Sequence, residues 1–561
     1  MAQESGKLIS KVRRIGDEDI EVFFRKSNPP SNQPNIFWPL EPSVRVEDGI
    51  LIEHDVAISL SDGITLYADV HRPEGATNVP VILSWSFGGK NFNFVTKGSS
   101  LGILPEGTVS ILSRQEGPDP AYWCHYGYAV IHVDPRGNGN SEGDAWFLSE
   151  PDARDCCEVI AWAAEQPWSN GRVGMHGTAF PGNNCWYAAA QKPPALACIA
   201  PWEAFFDFYE AVAARGGVLD SGIMNHMLSR IHGHGYTEDI VEMGRQYPFR
   251  TAYWEEKRAK IENIDIPVYM TASINLFHNG IFKAFQKIPS ERKWLRTHTS
   301  VSWRELYLNE NLEDLRRFFD RYLKNIRNGW ELTPPVRLSL YDSAGDVKNR
   351  IESQWPPAGV EHMPLYLNAT TGALSSEPEE TETAARYTVG DDDDLSFTYR
   401  FDKDTEVAGY AKLRLWVEAA GSDDMDLFVS FQRLDAEGNN LPLPFYEMPH
   451  AGVSGVIRVS HRELDEERST PSEPVLKHQA ESPIQAGEKI PVEVPLWPLM
   501  FVFHVGEQLR ITVRDHAKRV GVGTSLIKNP KWDTINRGEH IFHTGGKYDA
   551  HLLLPTKAYR G

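Results

Sequence analysis

The sequence predicts an α/β core, interrupted by a helical segment and followed by an all-β domain. Three observations carry this. Residues 79–85 and 128–134 are nearly continuous apolar runs, as expected of strands covered on both faces of a mostly parallel sheet. Between 152 and 166, Cys156, Val159, Ile160 and Ala163 recur at helical spacing, and a further apolar run follows at 172–175, which makes a strand–helix–strand unit. Beyond Pro334-Pro335 the signal becomes alternating strands with frequent turns, as in 413–417, 427–431 and 509–513.

Each element follows in order. Residues 1–49 read as an N-terminal arm, because 26–32 is loop-like in composition and no strong periodicity precedes it. The first part of the core spans 50–200. It opens with alternating runs at 56–60 and 64–70 around Ser61-Asp62-Gly63, a hairpin signal. Residues 201–255 change character: Phe205, Phe206, Phe208 and Tyr209 precede Met224, Met227, Leu228 and Ile231 at helical spacing, which predicts a cap laid over the sheet. The core returns over 256–334, with a buried strand at 266–271 and a helix from about 312 to 325 that places Leu315, Phe318, Phe319, Tyr322 and Leu323 on one face. Residues 335–561 form the predicted β-sandwich. Asp391 to Asp394 reads as a solvated loop, since four consecutive carboxylates converge on one ion only across a turn.

At 561 residues the chain exceeds one core, and its 16 Trp, 25 Phe and 20 Tyr suffice for burial. A net charge of −20 argues against nucleic acid or an anionic membrane as partner. Five cysteines without metal-type spacing point to free thiols in a reducing compartment, and no metal or cofactor is expected. Residues 1–14 carry no apolar stretch of the secretory kind and no long apolar run occurs, so the expected location is the cytoplasm.

The most informative stretch is Gly177-Thr178-Ala179-Phe180-Pro181-Gly182. An apolar lead-in precedes it and an alanine-rich helix follows, the layout of a nucleophile elbow. Glycines flank the apex because a strand turning sharply into a helix leaves no room for Cβ atoms. The apex here is Ala179, whose methyl group attacks nothing.

Several segments together resemble the CocE/NonD hydrolases, the cocaine-esterase and X-prolyl-dipeptidyl-peptidase kind. They are Asp62 to Val70, Val133 to Gly143 (with Asp134-Pro135-Arg136-Gly137), Glu165 to Gly174, Pro193 to Glu203, and Phe503 to Arg510. The resemblance covers the chain from about residue 50 to its C-terminus. It implies an α/β-hydrolase core with a helical cap and a C-terminal jelly roll. It also implies site residues. The family's serine matches Ala179. Its oxyanion tyrosine matches Phe87 in Ser86-Phe87-Gly88-Gly89-Lys90, its acid best matches Asn275, and its histidine matches His298. Of the matched groups only the histidine survives.

These departures have chemical consequences. Alanine at the apex forms no acyl-enzyme. Phe87 removes a donor usually worth roughly 3 kcal/mol in a preorganised oxyanion site. Asn275 orients an imidazole without stabilising an imidazolium as a carboxylate does. Thr178 and Cys185 are read as structural neighbours rather than replacement nucleophiles. His176 is left between a core histidine and a pocket residue, and His278 is placed at the pocket mouth. His232 and His234 are read as loop residues of the cap. Phe87, Phe180 and Trp202, with His176 and His278, are the expected substrate-binding residues.

The leading expectation is therefore a pseudo-triad enzyme performing cyclisation, isomerisation or elimination on a hydrophobic small molecule, of the secondary-metabolism kind, with His298 as acid or base. Two alternatives stand beside it: a serine esterase whose nucleophile has been replaced at Ala179, and a non-catalytic ligand-binding protein. A homodimer is left open.

Overall fold

A computed structural model describes residues 8–28, 39–91, 107–114, 116–274, 280–300, 302–391, 394–441, 444–445, 448–449, 453–517 and 531–561. The expected α/β core is present, and its centre is an eleven-stranded mixed sheet.

The chain opens with a hairpin, β1 (Ile9–Ile15) and β2 (Glu18–Lys26). It continues through β3 (Ser43–Glu47), β4 (Ile50–Ser59), β5 (Thr65–Pro73), β6 (Val79–Trp85), β7 (Ala129–Asp134), β8 (Ser169–Thr178) and β9 (Leu196–Trp202). Then come the short β10 (Tyr236–Glu238), β11 (Val268–Ala272), β12 (Lys293–Thr297), β13 (Val336–Leu340) and β14 (Val347–Glu352). The main sheet runs β14-β13-β12-β11-β9-β8-β6-β7-β5-β4-β3. From β7 across to β13 neighbouring strands are parallel. Every residue of β6, β7 and β11 is buried, as a sheet covered on both faces requires.

The helices are α1 (Pro120–His125), α2 (Glu150–Ala164), α3 (Phe180–Ala190), α4 (Ser221–Leu228), α5 (Ile240–Gln246), α6 (Ala252–Glu256), α7 (Gly280–Lys287), α8 (Ser302–Tyr307) and α9 (Asn309–Leu323). Helices α2 and α3 share one apolar core with the sheet, while α1 and α9 share another on its other side. The apolar stripe read from the sequence of α9, Leu315, Phe318, Phe319, Tyr322 and Leu323, is buried. A Cβ on Gly174 of β8 would lie 2.9 Å from Leu323 and 3.1 Å from Phe319, so this glycine sets how closely α9 approaches the sheet.

Two expected boundaries move. The arm of residues 1–49 contains the β1–β2 hairpin, which pairs with β10 of the cap, and β3, which lines the edge of the main sheet. Its signal is Ile20, Val22 and Phe24, alternate residues that bury one face of β2, with Gly16 taking the positive φ of the turn. Residue 335 does not begin the β-domain either. Strand β13 joins the core sheet in parallel to β12, and β14 pairs back on β13.

Thirteen strands between Glu361 and Ala558 form the all-β domain among the described residues. They enclose a core that includes Leu365, Leu413, Val429, Phe501, Ile511 and Leu552. Met500 and Val502 belong to the α/β core instead, and Tyr341 at the end of β13 exchanges backbone hydrogen bonds with both. Asp392 and Asp393 lie outside the described residues, while Asp394 pairs with Arg514.

The cap is tied down through a buried ion pair. Lys257 Nζ lies 2.7 Å from Glu238 Oε1 and donates to the carbonyl of Phe147 at 2.5 Å, while Tyr253 Oη donates to Glu238 at 2.6 Å. Among the described residues no helix is long and apolar enough to cross a membrane.

Candidate functional site

Strand β8 ends at Thr178 and α3 begins at Phe180, so Ala179 is the single residue between them. Its φ of 53° and ψ of −112° fall in a region that costs an ordinary residue roughly 1–3 kcal/mol. Surrounding bonds hold it there. Ala179 N donates to Trp202 O at 3.0 Å, Asn183 N donates to Ala179 O at 2.8 Å, and Thr178 N donates to Glu116 O at 2.9 Å. The flanking glycines are required by crowding. A Cβ on Gly177 would lie 2.2 Å from Pro181, and one on Gly182 would lie 2.8 Å from Gly177 O and 2.9 Å from Trp202 O. The Gly182→Ala variant is expected to lose roughly 1–3 kcal/mol, because the obstructing atoms are backbone; urea unfolding measures it.

The elbow lies at the carboxyl edge of the parallel strands, where open α/β sheets place their ligands. Phe87 follows β6 there. Its ring packs 4.2 Å from Phe180 and 4.8 Å from Phe147, centroid to centroid, which makes an aromatic wall beside the apex. Asn184 joins the wall's supports by donating to Trp85 O at 3.1 Å.

His298 follows β12, and its chemistry is set by a residue that sequence reasoning missed. Its Nε2 lies 2.5 Å from Glu203 Oε1, and both side chains are buried. Its Nδ1 donates to Ser300 O at 3.1 Å and sits 4.0 Å from Glu305 Oε1. Glu203 faces one ring nitrogen and Ser300 O the other, an arrangement that favours the protonated ring. Burial pulls its pKa down, but the charges of Glu305 and Glu203 outweigh that and leave it above the ordinary histidine value. Glu305 resists burial and is held down to about 2 by His298 and Arg296, with Ser300 also donating to it. Arg296 Nη1 donates to Glu305 at 2.8 Å.

The fold brings this pair together through β11. Glu203 N, just past β9, donates to Thr271 O at 3.0 Å, and His298 N, just past β12, donates to Ala272 O at 3.0 Å. The last two residues of β11 thus anchor the acid on one side and the histidine on the other. Glu203 also has a positive φ of 49°, uncommon for a glutamate. The one sequence signal was a carboxylate directly after a buried strand at the sheet's carboxyl edge.

The remaining candidates fall as follows. His176 is buried in the core, with Nδ1 on Ala200 O at 2.9 Å and its ring packed on Trp202 and Phe319; burial lowers its pKa to about 4. Trp202 is buried beside it, against Tyr269 and the guanidinium of Arg296. The expectation that these two contact substrate is corrected: both sit among the aromatics on the α9 side. Cys185 donates to Pro181 O at 3.3 Å, and burial pushes its thiol pKa up. His232 and His234 lie in the loop joining α4 to β10, where His232 O accepts from Gly139 N at 2.7 Å. Asn275 and His278 lie outside the described residues.

Comparisons with known proteins agree with this architecture. Residues 62–231 match the X-Pro dipeptidyl-peptidase (S15 family) profile, and 328–553 match the X-Pro dipeptidyl-peptidase C-terminal non-catalytic domain. The chain is 22% identical to cocaine esterase of Rhodococcus sp. (strain MB1 Bresler), over 91% of this chain and 99% of that protein. The fold also matches an alpha-amino acid ester hydrolase at 16% identity with a TM-score of 0.67, covering 94% of this chain and all of that one. A crystal structure of a CocE/NonD family hydrolase from Staphylococcus aureus superposes with a TM-score of 0.85 at 31% identity, covering 99% of this chain and 98% of that one. On that likeness, with an elbow, an aromatic wall and a buried histidine–carboxylate pair gathered at one sheet edge, the chain belongs to the CocE/NonD hydrolase family.

Proposed function

We propose that this enzyme works by proton transfer, without a covalent acyl intermediate, on a hydrophobic small molecule held against Phe87 and Phe180. The observation that carries the reading is the buried pair His298–Glu203, 2.5 Å apart, at the sheet edge where Ala179 occupies the apex of the elbow. In this reading the imidazolium gives its Nε2 proton to an oxygen or carbon of the substrate. The Glu203 carboxylate then accepts the proton that the substrate releases. Burial favours such a site, since each proton moves between fixed groups without solvent reorganisation. Cyclisation, isomerisation and elimination all need this exchange and no nucleophilic serine.

A second reading is favoured by the hydrolytic names of the relatives: the same pair activates a water that attacks a carbonyl directly. Product formed in H2(18)O separates the two, because hydrolysis places the heavy oxygen in the product and rearrangement does not.

The absence of covalent capture has its own test. Wild-type protein treated with a fluorophosphonate or an activated p-nitrophenyl ester is expected to keep its intact mass. The Ala179→Ser variant is expected to become labelled at residue 179, because the elbow already holds its apex in the strained geometry. An acyl adduct on the unmodified protein would sink the reading. Rapid ester turnover with burst kinetics in Ala179→Ser would instead favour a replaced serine esterase.

A further inference from the structure

A second site lies where the cap, helix α7 and the all-β domain meet. The turn 215–217 of the cap packs on the strand Val453–Arg458, and Arg215 projects from it into the junction. Its guanidinium lies over two indoles, 5.4 Å from the Trp497 ring centroid and 4.7 Å from that of Trp532. The side chain is 9% exposed, and its nearest carboxylate, Asp220, is 3.6 Å from Nη2. Nε and Nη1 are buried without a hydrogen-bond partner. A buried guanidinium with two unmet donors is costly, so its surroundings decide what the site is for.

Arg215 lines a cavity of about 90 Å³, together with Gly216, Lys283, Glu210, Glu473 and Trp497. The other charges on its wall already have opposite partners. Lys283 Nζ is 3.1 Å from Glu473, and Glu210 is 3.2 Å from Arg250 and 3.4 Å from Arg468. Among the described residues of this wall, Arg215 is the cation whose buried donor nitrogens lack a hydrogen-bond partner.

We propose that this cavity is a binding site for a small carboxylate monoanion, seated on Arg215 between the cap and the β-domain. A guanidinium stacked on aromatic rings keeps its hydrogen-bond plane open to a carboxylate, which supplies only acceptors. Two glutamates on the wall disfavour a doubly charged oxyanion, and the volume limits the ligand to a few heavy atoms. The site is distinct from the His298–Glu203 pair and does not depend on the reaction assigned to it. Its occupant fastens the cap to the β-domain by supplying the acceptors that neither provides.

The test uses the full chain at constant ionic strength. Acetate, formate, inorganic phosphate and sulfate are titrated separately, following the unfolding midpoint and the line width of [13C]acetate. Acetate or formate is expected to raise the midpoint saturably and to show broadening that unlabelled formate reverses. In Arg215→Lys, which keeps the charge and loses the planar fork of donors, the affinity is expected to fall at least about tenfold. In Arg215→Met it is expected to vanish, with the elbow region unaltered. Three results would overturn the proposal: no saturable carboxylate effect in the wild type, an effect unchanged in both variants, or tighter binding of phosphate and sulfate than of the carboxylates. The wild-type titration alone decides the first even where Arg215→Met folds poorly.

Discussion

The Glu203→Ala variant is expected to lose about 3–5 kcal/mol of stability, because it leaves the His298 imidazolium buried without its closest counter-charge. Guanidinium unfolding measures this. Glu203→Gln retains shape and an acceptor, so its cost is expected to be smaller, roughly 1–3 kcal/mol. Both variants are expected to abolish proton-transfer turnover, while the Gln variant keeps ligand binding. His298→Ala should cost a similar amount. The double variant His298→Ala with Glu203→Ala should cost clearly less than the two single costs added, since it removes both stranded charges together. Additive costs would mean that the 2.5 Å approach carries no coupling.

The pH dependence follows with a definite sign. The pKa of His298 is raised in the folded protein, with burial opposing and Glu305 and Glu203 prevailing. Its contribution to stability is therefore complete below the unfolded histidine value, near 6.5, and is lost as pH rises through the folded value. Glu305, depressed to about 2, contributes above the unfolded glutamate range and loses that contribution as pH falls towards 2. In Glu203→Gln the alkaline loss is expected to begin at lower pH than in the wild type. An alkaline limb unchanged by the substitution would assign that pH dependence to other groups.

The second large effect is expected at Lys257. Replacing it with methionine leaves Glu238 buried opposite an apolar side chain, and a cost of about 3–5 kcal/mol follows from one unpaired buried charge. It also removes the donor to Phe147 O, which fixes the residue whose ring packs against Phe87. The variant is thus expected to weaken the cap's attachment and the aromatic wall together. A Lys257→Met, Glu238→Gln double variant should recover part of the loss, as thermal unfolding of the set would record. If the single variant is as stable as the wild type, the cap is held by its apolar packing alone.

The elbow was legible from sequence because its demands are local. A strand that turns into a helix at one residue crowds Gly177 and Gly182 against backbone, and that requirement is written in adjacent letters. The buried strands β6 and β7 and the apolar stripe of α9 were legible for the same reason, since periodicity along a segment reports which faces are covered. The β1–β2 hairpin was overlooked because three alternate apolar residues in a polar stretch are a weak signal until β10 arrives to pair with them.

His176 and Glu203 mark the limit. As letters, a histidine three residues before the apex of an elbow is a better site candidate than a glutamate after an apolar run. Strand order reverses that judgement. His176 points into the aromatic layer beneath α9, whereas Glu203 and His298 are brought to either side of β11 by the order β9-β11-β12. The sequence by itself determined the layered α/β architecture, the all-β domain and the sharp turn with a methyl at its apex, because these depend on neighbours along the chain. Only the tertiary structure decided which carboxylate faces the histidine, because ionic partnership depends on distance across the sheet, and parallel strands connected through helices bring together residues that no sequence spacing relates.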